Sequence, residues 1–319
     1  MIKRFIFSGL LFFLAACGAL PTVSPGSIDR SRLPTPDIAV LIPGLGPCTD
    51  QADRTLALNA SQPVTILVHG CFGSAGKFRA LAQVLAFHGQ QAACFSYDDR
   101  ASLMVSSGQL ATAVNRLSAH LQAPEVTVLG HSQGGLVARK ALIFDRPDPL
   151  RAAAAIRLVT VSAPFAGISA ASPCANPLYR IGTLGLLDLA CRAISGDKWH
   201  EITYASTFIR QPGDLLPAVH QHVKIATDEA QICRRQDEAG RCLKDDFVFS
   251  LAEQYFPAVD QAPGVRAINL RAGHAGVVGE TGGVPQELIT VLQREGVIRP
   301  TAPARLSELQ SLLRVLYGG

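Results

Sequence analysis

The chain has 319 residues, of which 48% are hydrophobic and 17% charged, with 29 basic and 25 acidic side chains. These values exclude a disordered or collagen-like chain and supply a core for one large domain, or at most two small ones. The net charge of +4 is spread without any basic run, so no nucleic-acid partner is expected.

Met1 to Arg4 is a short cationic segment, and Phe5 to Ala16 (FIFSGLLFFLAA) is almost purely apolar. The apolar run is shorter than the roughly 20 residues a membrane-spanning helix needs. Residues 1–16 therefore read as a signal peptide. Leu14-Ala15-Ala16-Cys17 resembles the lipobox of bacterial lipoproteins. That resemblance implies cleavage before Cys17, acylation of its thiol and amine, and attachment to membrane lipid. Gly18, where an aspartate would signal inner-membrane retention, implies an outer-membrane lipoprotein of a bacterial envelope, facing the periplasm or the exterior. An ordinary secretory signal is the alternative. Residues 17–45 form the lipid anchor and a Pro/Ser/Gly-rich linker (PTVSPGS, SRLPTPD). Residues 46–319 form the folded domain.

Val64 to Val68 is a β-branched apolar run ending at His69-Gly70, a buried strand followed by a tight turn. A helix is predicted within Gly76 to Gly89 and a strand over Ala92 to Tyr97. Leu110, Val114, Leu117 and Leu121 share one helical face within Gln109 to Leu121. Val126 to Leu129 is a strand, Gln133 to Ile143 a helix, and Ile156 to Val161 a strand. Strands alternating with helices predict a mostly parallel sheet covered on both faces. The rhythm breaks after residue 163 and resumes at Val223 to Thr227 and Val265 to Leu270. Closing helices are expected over Gln286 to Arg294 and Leu306 to Leu316. An insertion at about 167–222 is therefore expected within one domain.

Gly130-His131-Ser132-Gln133-Gly134 lies between a strand and a helix. In that context G-x-S-x-G describes a sharp turn whose serine projects above the sheet edge, with Gly130 and Gly134 avoiding collisions on either side. The body from about 60 to 296 resembles an α/β-hydrolase, and VHGCFG and GHSQGG resemble bacterial lipases and carboxylesterases. The resemblance implies an α/β fold with a mostly parallel sheet flanked by helices and a lid or cap insertion. Phe165 stands where many related lipases have histidine.

Ester hydrolysis develops charge on a carbonyl oxygen, which two backbone N–H groups can stabilise. One is expected from Gln133. By resemblance to HGxxG lipases the other is Cys71, with His69, Gly70 and Gly73 shaping the turn. The serine also needs an imidazole base. His274 lies just after the strand Val265 to Leu270 and follows the order serine, acid, histidine expected of the fold. His222 is a second possibility. Asp245-Asp246-Phe247-Val248 resembles the D-G-x-V segment that carries the acid in many lipases. This assigns the acid to Asp245, with Asp246 and Asp228 as alternatives.

Export permits disulfides, and the near neighbours suggest Cys174–Cys191 and Cys233–Cys242. Cys71 and Cys94 read as buried apolar fillers. No cysteine or histidine spacing makes a metal site, and acyl transfer needs no cofactor. The expected activity is hydrolysis of carboxylic esters, lipid or acyl esters among them, by a serine–aspartate–histidine triad. A thioesterase, amidase or acyltransferase of the same fold, and a non-catalytic envelope protein, are the competing readings.

Overall fold

In the computed structural model, residues 27–318 are described, apart from 124, 146–153, 177, 179–181 and 184–185. The predicted signal peptide and Cys17 lie outside the described residues. Among those residues, no helix is long and apolar enough to cross a membrane.

Among the described residues there are eleven strands: β1 (Ile38–Val40), β2 (Leu45–Gly46), β3 (Leu56–Leu58), β4 (Val64–Val68), β5 (Gln91–Phe95), β6 (Glu125–His131), β7 (Ala155–Val161), β8 (Val219–Thr227), β9 (Cys233–Gln236), β10 (Cys242–Asp245) and β11 (Val265–Leu270). Seven make the central sheet, in the order β11–β8–β7–β6–β4–β5–β2. Neighbours run parallel except at one end, where β2 is antiparallel to β5. β1 pairs with β3, and β9 with β10, in two small separate sheets.

Alternation along each strand divides the core. Val64, Ile66, Val68, Val126, Val128, Ile156 and Leu158 face one side, and Leu67, Leu129, Val159 and Val161 face the other. Helices α1 (Arg79–Phe87), α2 (Leu103–His120), α3 (Gln133–Ala141), α4 (Leu186–Ser195), α5 (Gln286–Arg294) and α6 (Leu306–Tyr317) are the longer ones. α2 and α3 cover the first face through Leu110, Val114, Leu117, Leu136 and Val137. α1, α5 and α6 cover the second through Leu81, Leu85, Leu288, Leu292, Leu309 and Leu313. This double covering explains why the central strands read as continuous apolar runs.

The chain passes from β4 outward to β5 and then back across β4 to β6. Such a reversal leaves a crevice beyond the carboxyl ends of β4 and β6, the usual place for a site in an open parallel sheet.

Some boundaries differ from those expected. α2 begins at Leu103, because Ser102 accepts a hydrogen bond from Val105 N–H and the Glu201 carboxylate accepts from Leu103 N–H. Those caps turn the LMVSS segment, which has no helical signal of its own, into the first turn. β8 begins at Val219, before the expected Val223. β1, β2 and β3 are two or three residues long, too short to show a period. β9 and β10 are mostly exposed and polar, so no apolar alternation marks them.

Disulfides join Cys174 to Cys191 and Cys233 to Cys242. A third joins Cys48 to Cys94, 46 residues apart, so Cys94 is a cross-link and not a filler. The bridge ties the chain before β3 to β5. Cys71 is exposed and is the free cysteine among the described residues, so it is not a filler either. Replacing both Cys48 and Cys94 by serine is expected to lower stability by about 2–4 kcal/mol, because the unfolded chain regains the freedom of a long loop. Urea unfolding of the oxidised wild type and the variant measures the difference.

Candidate active site

Ser132 follows β6 and precedes α3, with φ +56° and ψ −128°, a region that non-glycine residues rarely enter. The turn is tight on both sides. A Cβ on Gly130 would lie 2.3 Å from the Gly134 carbonyl oxygen, and one on Gly134 would lie 2.3 Å from the Val68 carbonyl oxygen. Both contacts are with backbone, so side chains are excluded at both positions.

The ladder of the sheet runs past the strand ends. Ser132 N–H donates to Val161 O at 2.8 Å, Ser162 N–H to Ile225 O at 2.8 Å, and Asp228 N–H to Leu270 O at 2.7 Å. These rungs fix the ends of β6, β7, β8 and β11 relative to one another. Above them, Ser132 Oγ lies 3.0 Å from His274 Nε2, and His274 Nδ1 lies 2.9 Å from Glu229 Oε1. Ser132, His274 and Glu229 are all buried.

The carboxylate that meets His274 is therefore Glu229, and not Asp245, Asp246 or Asp228. Asp245 is exposed at the end of β10, where its backbone pairs with Cys233. Asp246 is buried, but its carboxylate accepts from Ala275 N–H at 3.1 Å and Gly276 N–H at 2.7 Å, and its carbonyl accepts from His274 N–H at 2.9 Å. It shapes the loop that carries the imidazole without reaching the ring. Asp228 is half-buried and accepts from Ala230 N–H, closing the turn after β8. Glu229 is the next residue. The signal that points to it is its place two residues past the end of a strand; the resemblance to D-G-x-V directed the choice elsewhere.

Glu229 has a full set of partners. Oε2 accepts from Val248 N–H at 2.6 Å and Phe249 N–H at 2.8 Å. Oε1 accepts from Ser162 Oγ at 2.8 Å as well as from His274. Thr227 Oγ1 lies 2.7 Å from Ser162 Oγ and 2.9 Å from Oε1. Ser162 Oγ also lies 2.9 Å from His274 Nδ1. Burial pushes the Glu229 carboxyl up, but the bonds from His274, Phe249 and Val248 outweigh it and hold the group below its ordinary value. Glu229 is thus ionised at neutral pH.

His131 braces the other side of His274. Its Nε2 lies 2.9 Å from the His274 carbonyl oxygen, so that nitrogen carries the proton and donates. Burial and then the nearby His274 lower its pKa well below the ordinary value, which keeps the ring neutral. Phe249 packs edge-on against the His274 ring at 4.8 Å. His222 lies within β8, where Nε2 is 2.9 Å from Thr160 Oγ1; burial lowers its pKa to about 3. It belongs to the strand's packing, apart from the serine.

The turn after β4 presses on the elbow. A Cβ on Gly70 would lie 2.9 Å from Ser132 Cβ and 3.4 Å from Ser132 Oγ. A Cβ on Gly73 would be 2.9 Å from the Gly70 carbonyl oxygen. His69 Nδ1–H donates to Gly70 O at 2.9 Å, its ring stacks on Tyr97 at 4.4 Å, and Tyr97 OH donates to the His69 carbonyl at 2.8 Å. Cys71 follows Gly70 directly. Gln133 is the first residue of α3, and the amides of a helix's first turn have no partner within the helix. Among the described residues, no group of three or more histidine, cysteine or acidic side chains is arranged to hold a metal.

Residues 63–173 match the family described as the alpha/beta hydrolase fold. This chain has the α/β-hydrolase fold. Lipase BlEst2 of Bacillus licheniformis, in its mature form, superposes with a TM-score of 0.50 and 15% identity, covering 79% of this chain and 96% of that one. The propeptide form gives 0.54 and 17% identity over 81% of this chain and 54% of that one. No curated protein matches the chain in sequence.

The low pKa of Glu229 sets a pH window. Its stabilisation is complete above about pH 4.5, the ordinary value, and is lost as pH falls through the lower folded value. Glu229→Gln removes this component. The stability gap between wild type and variant is therefore expected to narrow from pH 6 to pH 3.5, as read by urea midpoints. An equal gap at both pH values would contradict an ionised Glu229.

Proposed function

We propose that this chain is a serine hydrolase of carboxylic esters that works through an acyl-enzyme, with Ser132 as nucleophile, His274 as base and Glu229 as the acid that orients it. The observation that carries this reading is the unbroken relay from Ser132 Oγ through His274 to Glu229, with bonds of 3.0 and 2.9 Å. His274 Nε2 takes the serine proton as Oγ attacks the ester carbonyl. Nδ1–H stays directed at Glu229, which stabilises the imidazolium without becoming protonated. The tetrahedral oxyanion is held by the N–H groups of Gln133 and Cys71. His274 then protonates the leaving alcohol, and water attacks the acyl-enzyme by the reverse route.

Lipid or acyl esters fit best as substrates. Leu178, Leu186 and Leu189, in the insertion between β7 and β8, are 75%, 70% and 66% exposed. Apolar side chains so placed suit an acyl chain or a lipid surface. The similar fold of a Bacillus lipase supports the same class. We also assign the protein to the bacterial envelope, held by an acylated Cys17, on the strength of Leu14-Ala15-Ala16-Cys17.

A fluorophosphonate probe is expected to label the wild type and to leave Ser132→Ala unlabelled; equal labelling of both would refute the nucleophile. Glu229→Gln should lower kcat on p-nitrophenyl butyrate by about 10³–10⁴-fold, as loss of a triad carboxylate does elsewhere. Asp245→Asn should stay within about 2-fold, because surface changes away from the reacting groups have little effect. Metabolic labelling with an alkynyl palmitate should mark the wild-type protein and spare Cys17→Ser; incorporation into both would dismiss the anchor.

A further inference from the structure

Lys198 is 2% exposed, an unusual place for an ammonium group. It comes from the one-turn helix Gly196–Trp199, which follows α4 in the insertion. Its Nζ donates to the Asp99 carbonyl, to Gln133 Oε1 at 2.5 Å and to Cys71 Sγ at 3.1 Å. The Asp99 carboxylate lies 3.8 Å away. Three acceptors match the three N–H bonds of an ammonium. Two of them belong to Cys71 and Gln133, the residues whose backbone amides form the oxyanion hole in the function proposed above.

The surrounding bonds make this a junction. Gln133 Nε2–H donates to the Asp99 carbonyl at 2.9 Å, and Phe72 N–H donates to Asp99 Oδ2 at 2.7 Å. Phe72 itself has φ +56°, so the turn after Cys71 is held in a strained shape. The insertion is seated on the same loop: Asp197 N–H donates to the Arg100 carbonyl at 2.7 Å, and Arg100 donates to the carbonyls of Ala193 and Ile194. The turn after β4, the loop after β5 and the elbow after β6 come from three separate strands. Lys198 Nζ touches a residue of each.

We propose that Lys198 is a positioning residue: from the insertion, it sets the relative placement of the Cys71 and Gln133 backbone amides. The inference rests on the ester-hydrolase reading. A buried ammonium is expensive to desolvate, and an apolar residue of similar volume often serves stability as well or better. An effect on catalysis should therefore separate from one on stability. Misplaced oxyanion donors weaken binding of the transition state while leaving substrate binding largely intact.

The test uses the full chain with Lys198→Met and Lys198→Ala. For Lys198→Met, kcat on p-nitrophenyl butyrate should fall by about 10–100-fold, part of the loss seen when one oxyanion donor is removed, with KM within about 3-fold. Its melting temperature should stay within a few degrees of wild type. In Lys198→Ala, added ethylammonium should recover activity and tetramethylammonium, which has no N–H donor, should not. Gln133→Met probes the same junction from the other side and should lower kcat in the same direction. Wild-type kcat in Lys198→Met or in Gln133→Met, a change confined to KM or melting temperature, or equal recovery by both ammonium ions would overturn the proposal. Failure of the hydrolase reading would look different: Ser132→Ala would keep its probe labelling. Lys198 fails by itself when Ser132→Ala is unlabelled and Lys198→Met turns over at the wild-type rate.

Discussion

Parallel pairing of β11, β8, β7, β6 and β4 is the constraint on which the site depends. Because the five strands run in one direction, their carboxyl ends share one edge of the sheet. Each end then delivers one group: His274 after β11, Glu229 after β8, Ser162 after β7, Ser132 after β6 and the Gly70-Cys71 turn after β4. Antiparallel pairing would send alternate groups to the opposite edge. The three ladder bonds beyond the strand ends hold these groups in register where the regular strands stop.

That edge contains a buried carboxylate, which is tolerable only if its oxygens are satisfied. Glu229 meets this condition with two backbone amides on one oxygen and donors including His274 on the other. Each partner also has a structural duty. The two amides fix the segment after Asp246, and Ser162 continues the ladder past the end of β7. The polar network is thus part of the packing, since removing one member leaves another unsatisfied in a medium of low polarity. Asp246 and His131 apply the same logic to the loop around His274. One holds its amides and the other its carbonyl.

Much of this was legible in the sequence because the relevant physics is local. The run Val64 to Val68 is buried throughout, and apolar at every position but Thr65, because both sheet faces are covered. The glycines around Ser132 follow from a steric collision within a few residues. His274 could be chosen because it follows a clear strand. The carboxylate beside His274 was not legible in the same way. Asp228, Glu229, Asp245 and Asp246 all lie in segments that can present a carboxylate, and only the path of the chain between β8 and β11 decides which one turns inward. Resemblance favoured Asp245; the fold puts that side chain in solvent and the neighbouring Asp246 on loop amides.

By itself the sequence determined the alternation of strands and helices, the elbow at Ser132 and the strand-end placement of His274. Each depends on residues close together in the chain. The tertiary structure alone decided the partner of His274, the Cys48–Cys94 bridge and the seating of Lys198 between Cys71 and Gln133. These link residues 45, 46 and 65–127 positions apart. Such meetings depend on strand order and on the direction in which each loop leaves the sheet, neither of which any single segment encodes.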